Sequence, residues 1–243
     1  MNFLELFKKK HLIAAHRGVR SLAPENTLSA IKASVGHCDF VEVDVQLSSD
    51  GVAIIIHDET LNRTTNASGR VSDFTFEELS LLDYGSWFDG EKEPILPLSK
   101  LLKFIKKQRL FLNIEIKDMH KFFSDEKVIS TVFKEIRAWH VEELVLLSSF
   151  RSEYLPLCKE KIPNIPTALL VEKKHPKKLI EYLKELKVDA YHMSNKLVDR
   201  ESVAKLRKAG FFVNIYTIND FIRAKELFDM GVNGIFSDKL IKK

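Results

Sequence analysis

The chain has 243 residues, of which 45% are hydrophobic and 30% are charged, and its formal net charge is +4. This composition is typical of a folded globular protein, and we expect one domain over residues 1–243. Lysine and arginine are spread along the sequence without a dense basic tract rich in aromatic residues, so we expect no nucleic-acid partner. The two cysteines are isolated, which indicates reduced thiols, and cytoplasmic residence is the default expectation.

The N-terminal segment MNFLELFKKKH combines apolar residues with three lysines. It is too short to span a membrane, and it lacks the charge order and the cleavage site of a signal peptide. We expect a short helix that closes the bottom of the fold. A weaker alternative is contact with an anionic lipid surface through Phe3 and Phe7.

Short β-rich runs then alternate with segments of helical periodicity almost to the end of the chain. Eight strands joined by helices in about 250 residues predict an α/β fold of the TIM (β/α)8 barrel type. An open doubly wound sheet is the alternative, but no GxGxxG turn supports it. The predicted strands are 12–16, 39–45, 111–117, 143–149, 167–171, 189–194, 211–217 and 233–237. The predicted helices include 98–105, 129–136, 179–186, 203–206 and 221–228.

One apolar run breaks this alternation. Residues 52–58, VAIIIHD, follow the second strand after only four residues, SSDG. A parallel partner needs a crossover of about a dozen residues or more, so the run predicts an antiparallel hairpin. Asp50 and Gly51 favour a type I′ turn, and the register counted from that turn sets Asp44 opposite His57.

The hairpin leads into a long polar segment, residues 59–96, before the alternation resumes. Thr75 and Glu78 form a capping-box pattern, which predicts a short helix inside this segment. Loops of this length in compact domains are often functional, so we expect a lid-like loop.

Acidic residues recur with strand parity at the ends of two predicted strands. Glu42 and Asp44 are two residues apart and share one face, and the same parity places Glu115 and Lys117 together. In a TIM barrel, active groups gather at the carboxyl ends of the strands. Three carboxylates there would repel one another unless a cation lies among them. A ligand set made only of oxygens, with no cysteine in it, favours Mg²⁺ or Ca²⁺ over zinc.

Basic and aromatic residues complete the predicted site. His16 and His57 suit proton transfer because an imidazole titrates near neutral pH. Arg17 and Lys117 carry charges that suit phosphate oxygens. Tyr216, near the end of the seventh strand, either borders the substrate or packs.

Two other polar residues have weaker claims to the site. His192 lies inside a predicted strand and is expected to face the barrel interior, with substrate contact as the minor alternative. Asn26, in the PENT segment, is expected to cap the following helix rather than to bind a ligand.

Taken in order, the segments HRG, PENT, ExD, DG, HD, LxRTT, YGSWF and NIEIK resemble the glycerophosphodiester phosphodiesterases. The match runs from about residue 12 to GVNGIFSD near residue 238, and it is dense in the first half. The resemblance implies a TIM barrel with an insertion after the second strand, at about 46–96. It also implies hydrolysis of glycerophosphodiesters to sn-glycerol 3-phosphate and an alcohol.

The resemblance implies roles for the same residues. One divalent cation, Mg²⁺ or Ca²⁺, would bind to Glu42, Asp44 and Glu115. His16 and His57 would be the acid–base pair, while Arg17, Lys117 and Tyr216 would contact the substrate. Tyr216 stands where the family commonly has tryptophan. In the mechanism usually drawn, the glycerol 2-hydroxyl attacks phosphorus, and water then opens the cyclic phosphate.

Two other functions stay open at this point. A lysophospholipid or phosphoinositide phosphodiesterase would use the same core with an apolar rim from Phe74, Phe76, Trp87 and Phe88. The second of these alternatives is a non-catalytic module that binds phosphate. The leaving alcohol, the identity of the metal, the oligomeric state and any membrane contact are not determined by the sequence.

Overall fold

The computed structural model describes residues 1–241, in which eight parallel strands close into a barrel. The strands in chain order are β1 Leu12–His16, β2 Phe40–Leu47, β3 Ala53–Ile55, β4 Leu96–Pro97, β5 Leu112–Ile116, β6 Val145–Ser149, β7 Thr167–Val171, β8 Ala190–Ser194, β9 Phe212–Tyr216 and β10 Gly234–Ser237. Hydrogen bonds from β1 to both β2 and β10 close the ring, and β2 pairs directly with β5. The TIM-barrel prediction is confirmed.

Helices follow most of the barrel strands, as the alternation predicts. They are α1 Phe3–Leu6, α2 Leu28–Lys32, α3 Phe76–Ser80, α4 Ser86–Asp89, α5 Leu98–Gln108, α6 Asp125–Trp139, α7 Tyr154–Lys161, α8 Leu179–Glu185, α9 Arg200–Lys208 and α10 Phe221–Asp229. The apolar stripe of α5 is buried, because residues at i, i+3, i+4 and i+7 share one face of a helix. That stripe comprises Leu98, Leu101, Leu102 and Ile105.

Polar residues inside the barrel strands are conspicuous because these strands are covered by helices outside and filled with side chains inside. The register pairs His16 with Glu42, and Asp44 with Glu115. Val43 lies between the two acids of β2 and points to the other face. As predicted, the acids therefore share the interior side at the carboxyl ends of their strands.

The hairpin after β2 is present, but its predicted register is wrong by one residue. Val45 pairs with Ile55, and the Ile56 amide donates to the Asp44 carbonyl at 3.0 Å. Ile56, not His57, therefore lies opposite Asp44.

The turn explains this difference. Ser48 and Val52 close a loop of three residues, and its last residue, Gly51, has a φ of 82°. A three-residue loop ending in a left-handed glycine adds a bulge, which a two-residue type I′ turn lacks. The strand β3 then ends at Ile55, so the backbone leaves the ladder before His57 and strand alternation no longer fixes the direction of that side chain.

The insertion has a small core of its own. The short strand β4 pairs antiparallel with β3, and the predicted capping box of Thr75 and Glu78 begins α3. Phe74 and Phe76 pack against this core rather than forming an open rim. The core residues are Ile54, Ile56, Leu61, Val71, Leu79, Tyr84 and Ile95.

The N-terminal segment forms the predicted short helix. Asn2 and Glu5 make a capping box at its start. Phe3 and Phe7 are almost fully buried, and the Phe3 ring makes edge-to-face contacts with Phe7, Phe40 and Phe111. Neither ring is therefore accessible to a lipid surface.

Among the helices of residues 1–241, none combines the length and the apolar character that a membrane-spanning segment requires.

Replacing Phe3 with alanine tests whether α1 is part of the barrel core. We expect Phe3→Ala to lower the free energy of unfolding by about 3–5 kcal/mol, because a large buried ring leaves a cavity. Urea unfolding measures this change. The control is Leu81→Ala, since Leu81 is 82% exposed and its loss should change the free energy by less than about 0.5 kcal/mol. Equal stability of the two variants would contradict the assignment.

Candidate active site

A cavity of about 550 Å³ opens at the carboxyl ends of the barrel strands. Seven of the eight site residues predicted from the sequence line this cavity. The eighth, Asp44, lies just behind the cavity wall, beside Glu42 and Glu115. The lining residues include His16, Arg17, Glu42, His57, Glu115, Lys117 and Tyr216.

Three carboxylates from β2 and β5 form one cluster. Glu42, Asp44 and Glu115 each offer an oxygen within 4.8 Å of the others, and all three side chains are nearly buried. One oxygen of Glu42 accepts from the Arg17 amide at 2.9 Å, whereas its Oε1 is buried with no hydrogen-bond partner among residues 1–241. An orphaned buried oxygen beside two other carboxylates fits a hard divalent cation.

The charges of the cluster are unequal. Burial opposes ionisation of Asp44, but Lys117 and Arg17 hold the pKa of this carboxyl well below its ordinary value. Burial raises the pKa of Glu42 well above its ordinary value, and the charges of Asp44 and Glu115 raise it further. The pKa of Glu115 is raised in the same way, by burial and then by Asp44. The site is therefore short of positive charge.

Two cations already lie beside these acids. The Lys117 ammonium is 2.6 Å from Glu115 and 3.3 Å from Asp44. Burial disfavours its charge, yet the two carboxylates raise the pKa of Lys117 above its ordinary value. The Arg17 guanidinium is 3.4 Å from Asp44 and also lines the cavity. Both cations can therefore reach a bound anion from the side of the carboxylates.

The backbone at the end of β1 is shaped to place Arg17. This residue has a φ of 57°, in the left-handed region, and its amide donates to Glu42. Gly18 follows with a φ of 77°, and a Cβ atom there would lie 2.6 Å from the backbone of Ala30. The HRG motif thus needs glycine because α2 packs against this turn.

The histidine at the end of β1 is held by a carboxylate. His16 Nδ1 is 2.7 Å from Asp238, which follows β10. Asp238 also accepts from the Asn219 amide at 2.8 Å. Burial works against ionisation of Asp238, but these hydrogen bonds lower its pKa to about 2. The carboxylate therefore stays charged at neutral pH and fixes the imidazole.

The second histidine is held in the same manner from the hairpin side. His57 Nδ1 is 2.6 Å from Asp58, which accepts from Arg63 at 2.7 Å. The Gln46 amide donates to the carbonyl oxygens of Ile56, His57 and Asp58, and so fixes the backbone where it leaves the ladder. Burial lowers the pKa of His57.

Glu25 joins these parts, and no strand parity or spacing predicts that role. This carboxylate is 5% exposed and accepts from Arg17 at 2.8 Å, Arg20 at 2.9 Å and Arg63 at 2.7 Å. Burial opposes its ionisation, but the three guanidinium groups lower the pKa of Glu25. The available signal is its place inside the PENT motif.

Two of these arginines continue toward the histidines. Arg20 is 3.7 Å from Asp238, and Arg63 donates to Asp58. One chain of ion pairs through Glu25 therefore connects the carboxylates that hold both imidazole rings. It also ties the insertion to the first loop of the barrel.

The predicted role of Asn26 is wrong. Its amide group donates to the Asp44 carboxylate at 2.9 Å, and its side-chain oxygen accepts from the Asp44 amide at 3.2 Å. Thr27 instead caps α2 by accepting from the Ala30 amide. The cap falls one residue later because Asn26 adopts a left-handed φ of 60° and points into the site.

Two more predicted residues have different outcomes. Tyr216 lines the cavity, and its hydroxyl donates to the Val171 carbonyl at 2.8 Å. His192 is fully buried in the interior and its ring lies 5.0 Å from the Phe236 ring. Burial lowers the pKa of His192 to about 3, and the residue does not reach the cavity, which confirms the interior position.

The model of the glycerophosphoryl diester phosphodiesterase family matches residues 16–242. The chain belongs to this family. A glycerophosphodiester phosphodiesterase of Bacillus altitudinis is 34% identical over 233 residues, which cover 93% of this chain and 94% of the relative. Another, from Caldanaerobacter subterraneus, is 34% identical over 239 residues, which cover 94% of this chain and 94% of the relative.

Comparison with a solved structure supports the assignment to this family. An Oleispira antarctica phosphodiesterase in complex with the product sn-glycerol-3-phosphate has a TM-score of 0.90 at 31% identity. The comparison covers 97% of this chain and 96% of that chain. Family members are phosphodiesterases, so the chain is an enzyme rather than only a binding module.

Arg63 tests the chain of ion pairs. We expect Arg63→Met to lower kcat for glycerophosphodiester hydrolysis about 10–100-fold, since losing a residue that orients a functional group commonly has that effect. The matched control is Arg70→Met in the same insertion, because Arg70 is 59% exposed and lies 3.7 Å from Glu59. Steady-state kinetics measure both variants. Equal losses of kcat would show that the effect is not specific to the ion pairs that run through Glu25.

Proposed function

We propose that this protein is a divalent-metal-dependent glycerophosphodiesterase that releases sn-glycerol 3-phosphate and an alcohol. The supporting observation is that two carboxylate-held histidines and a cluster of three acids meet at one cavity. Residues 1–243 would form one catalytic domain, with the insertion as part of the site.

The orientation of the two imidazole rings supports one proton-transferring atom in each of them. Because Nδ1 of His16 and of His57 faces a carboxylate, Nε2 is the atom that each ring can present to a substrate. One imidazole takes the proton of the glycerol 2-hydroxyl as that oxygen attacks phosphorus. The other gives a proton to the oxygen of the departing alcohol. Water then opens the cyclic phosphate with the two roles exchanged.

Arg17 and Lys117 would hold the phosphate oxygens from the side of the acids. The guanidinium can make two hydrogen bonds, while the ammonium acts as a point charge. Both keep their positive charge, because the carboxylates around them raise the pKa of each against the effect of burial. They therefore bind the anion and oppose the charge that develops on it during attack.

One divalent cation, Mg²⁺ or Ca²⁺, would be held by Glu42, Asp44 and Glu115. All three donors are carboxylate oxygens, which such hard ions prefer. When bound, the ion offsets negative charge at the phosphate and orients the reacting groups.

A lysophospholipid or phosphoinositide substrate on the same core stays the alternative. The apolar rim predicted for it draws no support from the insertion: Phe74 and Phe76 pack inside, whereas Trp87 is 39% and Phe88 is 36% exposed. None of these four residues lines the cavity. Cytoplasmic residence and contact with membranes stay predictions from the sequence.

The two histidines carry the first prediction of this function. We expect His16→Ala and His57→Ala each to lower kcat for release of sn-glycerol 3-phosphate by about 10²–10⁴-fold, as loss of a general acid or base commonly does. An enzyme-coupled assay of the product measures this. His37→Ala is the control, since His37 is exposed and does not line the cavity. Full activity of either site variant would refute the proposed acid–base pair.

The acids carry the second prediction. Folding raises the pKa of Glu42. This acid therefore makes the folded state progressively less stable as the pH rises above the pKa that it has in the unfolded chain. We expect Glu42→Gln with chelator at pH 7 to melt at a higher temperature than the wild-type protein, although it is inactive.

Adding a divalent cation should stabilise the wild-type protein and Glu42→Gln to different extents. At about 100 times its Kd, Mg²⁺ or Ca²⁺ should stabilise the wild-type protein by about 2.7 kcal/mol and Glu42→Gln much less. Thermal unfolding with chelator and with each cation measures this. Glu77→Gln, at an exposed position, should behave as the wild type does. If neither cation changes the melting temperature or the activity of the wild-type protein, the proposed metal site is wrong.

A further inference from the structure

A second cavity, of about 590 Å³, opens at the amino ends of the barrel strands, on the side opposite the candidate active site. This amino-end cavity lies between the segment that joins α1 to β1, the last turn of α9, the start of β9 and the segment between α10 and β10. Its charged side chains are all basic, since no aspartate or glutamate among residues 1–241 lines it. They are Lys8, Lys9, Lys10 and Arg207, with His11 beside them.

Arg207 differs from the other partly buried arginines. Each of the others forms an ion pair with a carboxylate; they are Arg17, Arg20, Arg151 and Arg223. In the part of the chain that the structure describes, Arg207 forms no ion pair. One of its N–H groups donates to the Phe211 carbonyl at 2.9 Å, and its guanidinium carbon lies 5.5 Å from the centre of the Phe212 ring.

The charge of Arg207 is therefore uncompensated. Burial lowers the pKa of Arg207, and no carboxylate within residues 1–241 opposes this effect. The Phe211 carbonyl occupies one donor of the guanidinium, and the remaining donors point to no other acceptor in the described chain. Because a partly buried charge without a counter-ion is costly, an anion from outside the chain would stabilise this position.

Three consecutive lysines surround the same space. Lys8, Lys9 and Lys10 are exposed, and none of them forms an ion pair with another described residue. Glu5 is the one acid of this segment and lies within electrostatic range of Lys8, but its carboxylate already accepts from the Asn2 amide at 2.9 Å. It also lies 3.6 Å from the terminal amine. The lysine charges therefore stay available to a ligand.

The wall of the amino-end cavity is held in place by rings and backbone bonds. Phe7 stacks on Phe212 with ring centroids 4.8 Å apart, and His11 stacks on Phe228 at 4.6 Å. The next amide, that of Leu12, donates to the Asn233 carbonyl at 2.9 Å. The basic segment is therefore fixed to the barrel, and its charges are gathered before any ligand binds.

We propose that the amino-end cavity binds a ligand with two or more phosphate groups. Three lysines and an arginine concentrate more positive charge than a single phosphate balances. Arg207 binds the anion as a fork from the partly buried side, while the lysines act as point charges from the solvent side. Such phosphates occur in soluble molecules and in lipid head groups. The site is separate from hydrolysis, which takes place at the opposite end of the barrel.

The His11 imidazole provides a local measurement of binding. The full-length protein with isotope-labelled histidines is titrated with pyrophosphate in the presence of chelator, and the ring signals are followed by NMR. The spectrum of His11→Gln identifies the His11 signal. We expect this signal to shift saturably. His16 and His57 report separately on any anion in the candidate active site, so the two ends of the barrel are distinguished.

Three variants test the role of the basic groups. Arg207→Met should raise the Kd measured at His11 about 10–100-fold, as the loss of charge-assisted hydrogen bonds does. A double variant, Lys9→Gln with Lys10→Gln, should also raise it, and it changes only exposed positions. Arg200→Met is the matched control, because Arg200 is an exposed arginine of α9 that does not line the cavity. It should bind pyrophosphate as the wild type does.

A His11 signal that pyrophosphate does not shift would overturn this site, and so would equal Kd values for Arg207→Met and Arg200→Met. Either result would leave the hydrolysis of glycerophosphodiesters untouched. Vesicles of phosphatidylcholine with cardiolipin, which carries two phosphates, distinguish the sources of the ligand. Sedimentation with these vesicles that pyrophosphate reverses and Arg207→Met weakens would assign the site to a lipid head group. Pyrophosphate binding without such sedimentation would assign it to a soluble ligand.

Discussion

Repulsion among three buried carboxylates governs the arrangement of charge in this barrel. At about 5 Å and an effective dielectric constant of about 20, each pair of unit charges repels by about 3 kcal/mol. Lys117 and Arg17 compensate part of this, and Asp44, which lies near both, is the acid whose ionisation is favoured. A divalent cation added to three acids and two bases would turn a net charge of −1 into +1. That value complements the single negative charge of a phosphodiester.

The same need for compensation extends away from the acids. Glu25 is buried among three guanidinium groups. Each of these groups also lies within 4 Å of a second carboxylate. Removing a partner from such a network leaves an uncompensated buried charge, which is why its members fix one another in position. The network is also a polar link between the barrel and the insertion, whose apolar core is separate from that of the barrel. His57 reaches the site because this link and Gln46 hold a backbone that no longer belongs to a strand.

The mouth of the barrel has two chemically different halves on one rigid ring. Strands β1, β2 and β5 carry the charged groups, while β6 to β9 carry aromatic and apolar side chains with a single acid at the cavity. Because both sets lie at the ends of hydrogen-bonded strands, their distance is fixed by the sheet rather than by flexible loops. Side chains in the second half can therefore differ without moving the charged groups of the first.

The sequence by itself determined the barrel, because period-2 and period-3.6 patterns report directly which faces are buried, and the eight strands lie within two residues of their predicted bounds. It also determined that Glu42, Asp44 and Glu115 share a face, because parity along a strand is local. The hairpin register, the role of Asn26 and the position of Glu25 were decided by the tertiary structure. A three-residue turn, a left-handed backbone and arginines from two distant loops meet only when the chain closes on itself, and no local period encodes such contacts.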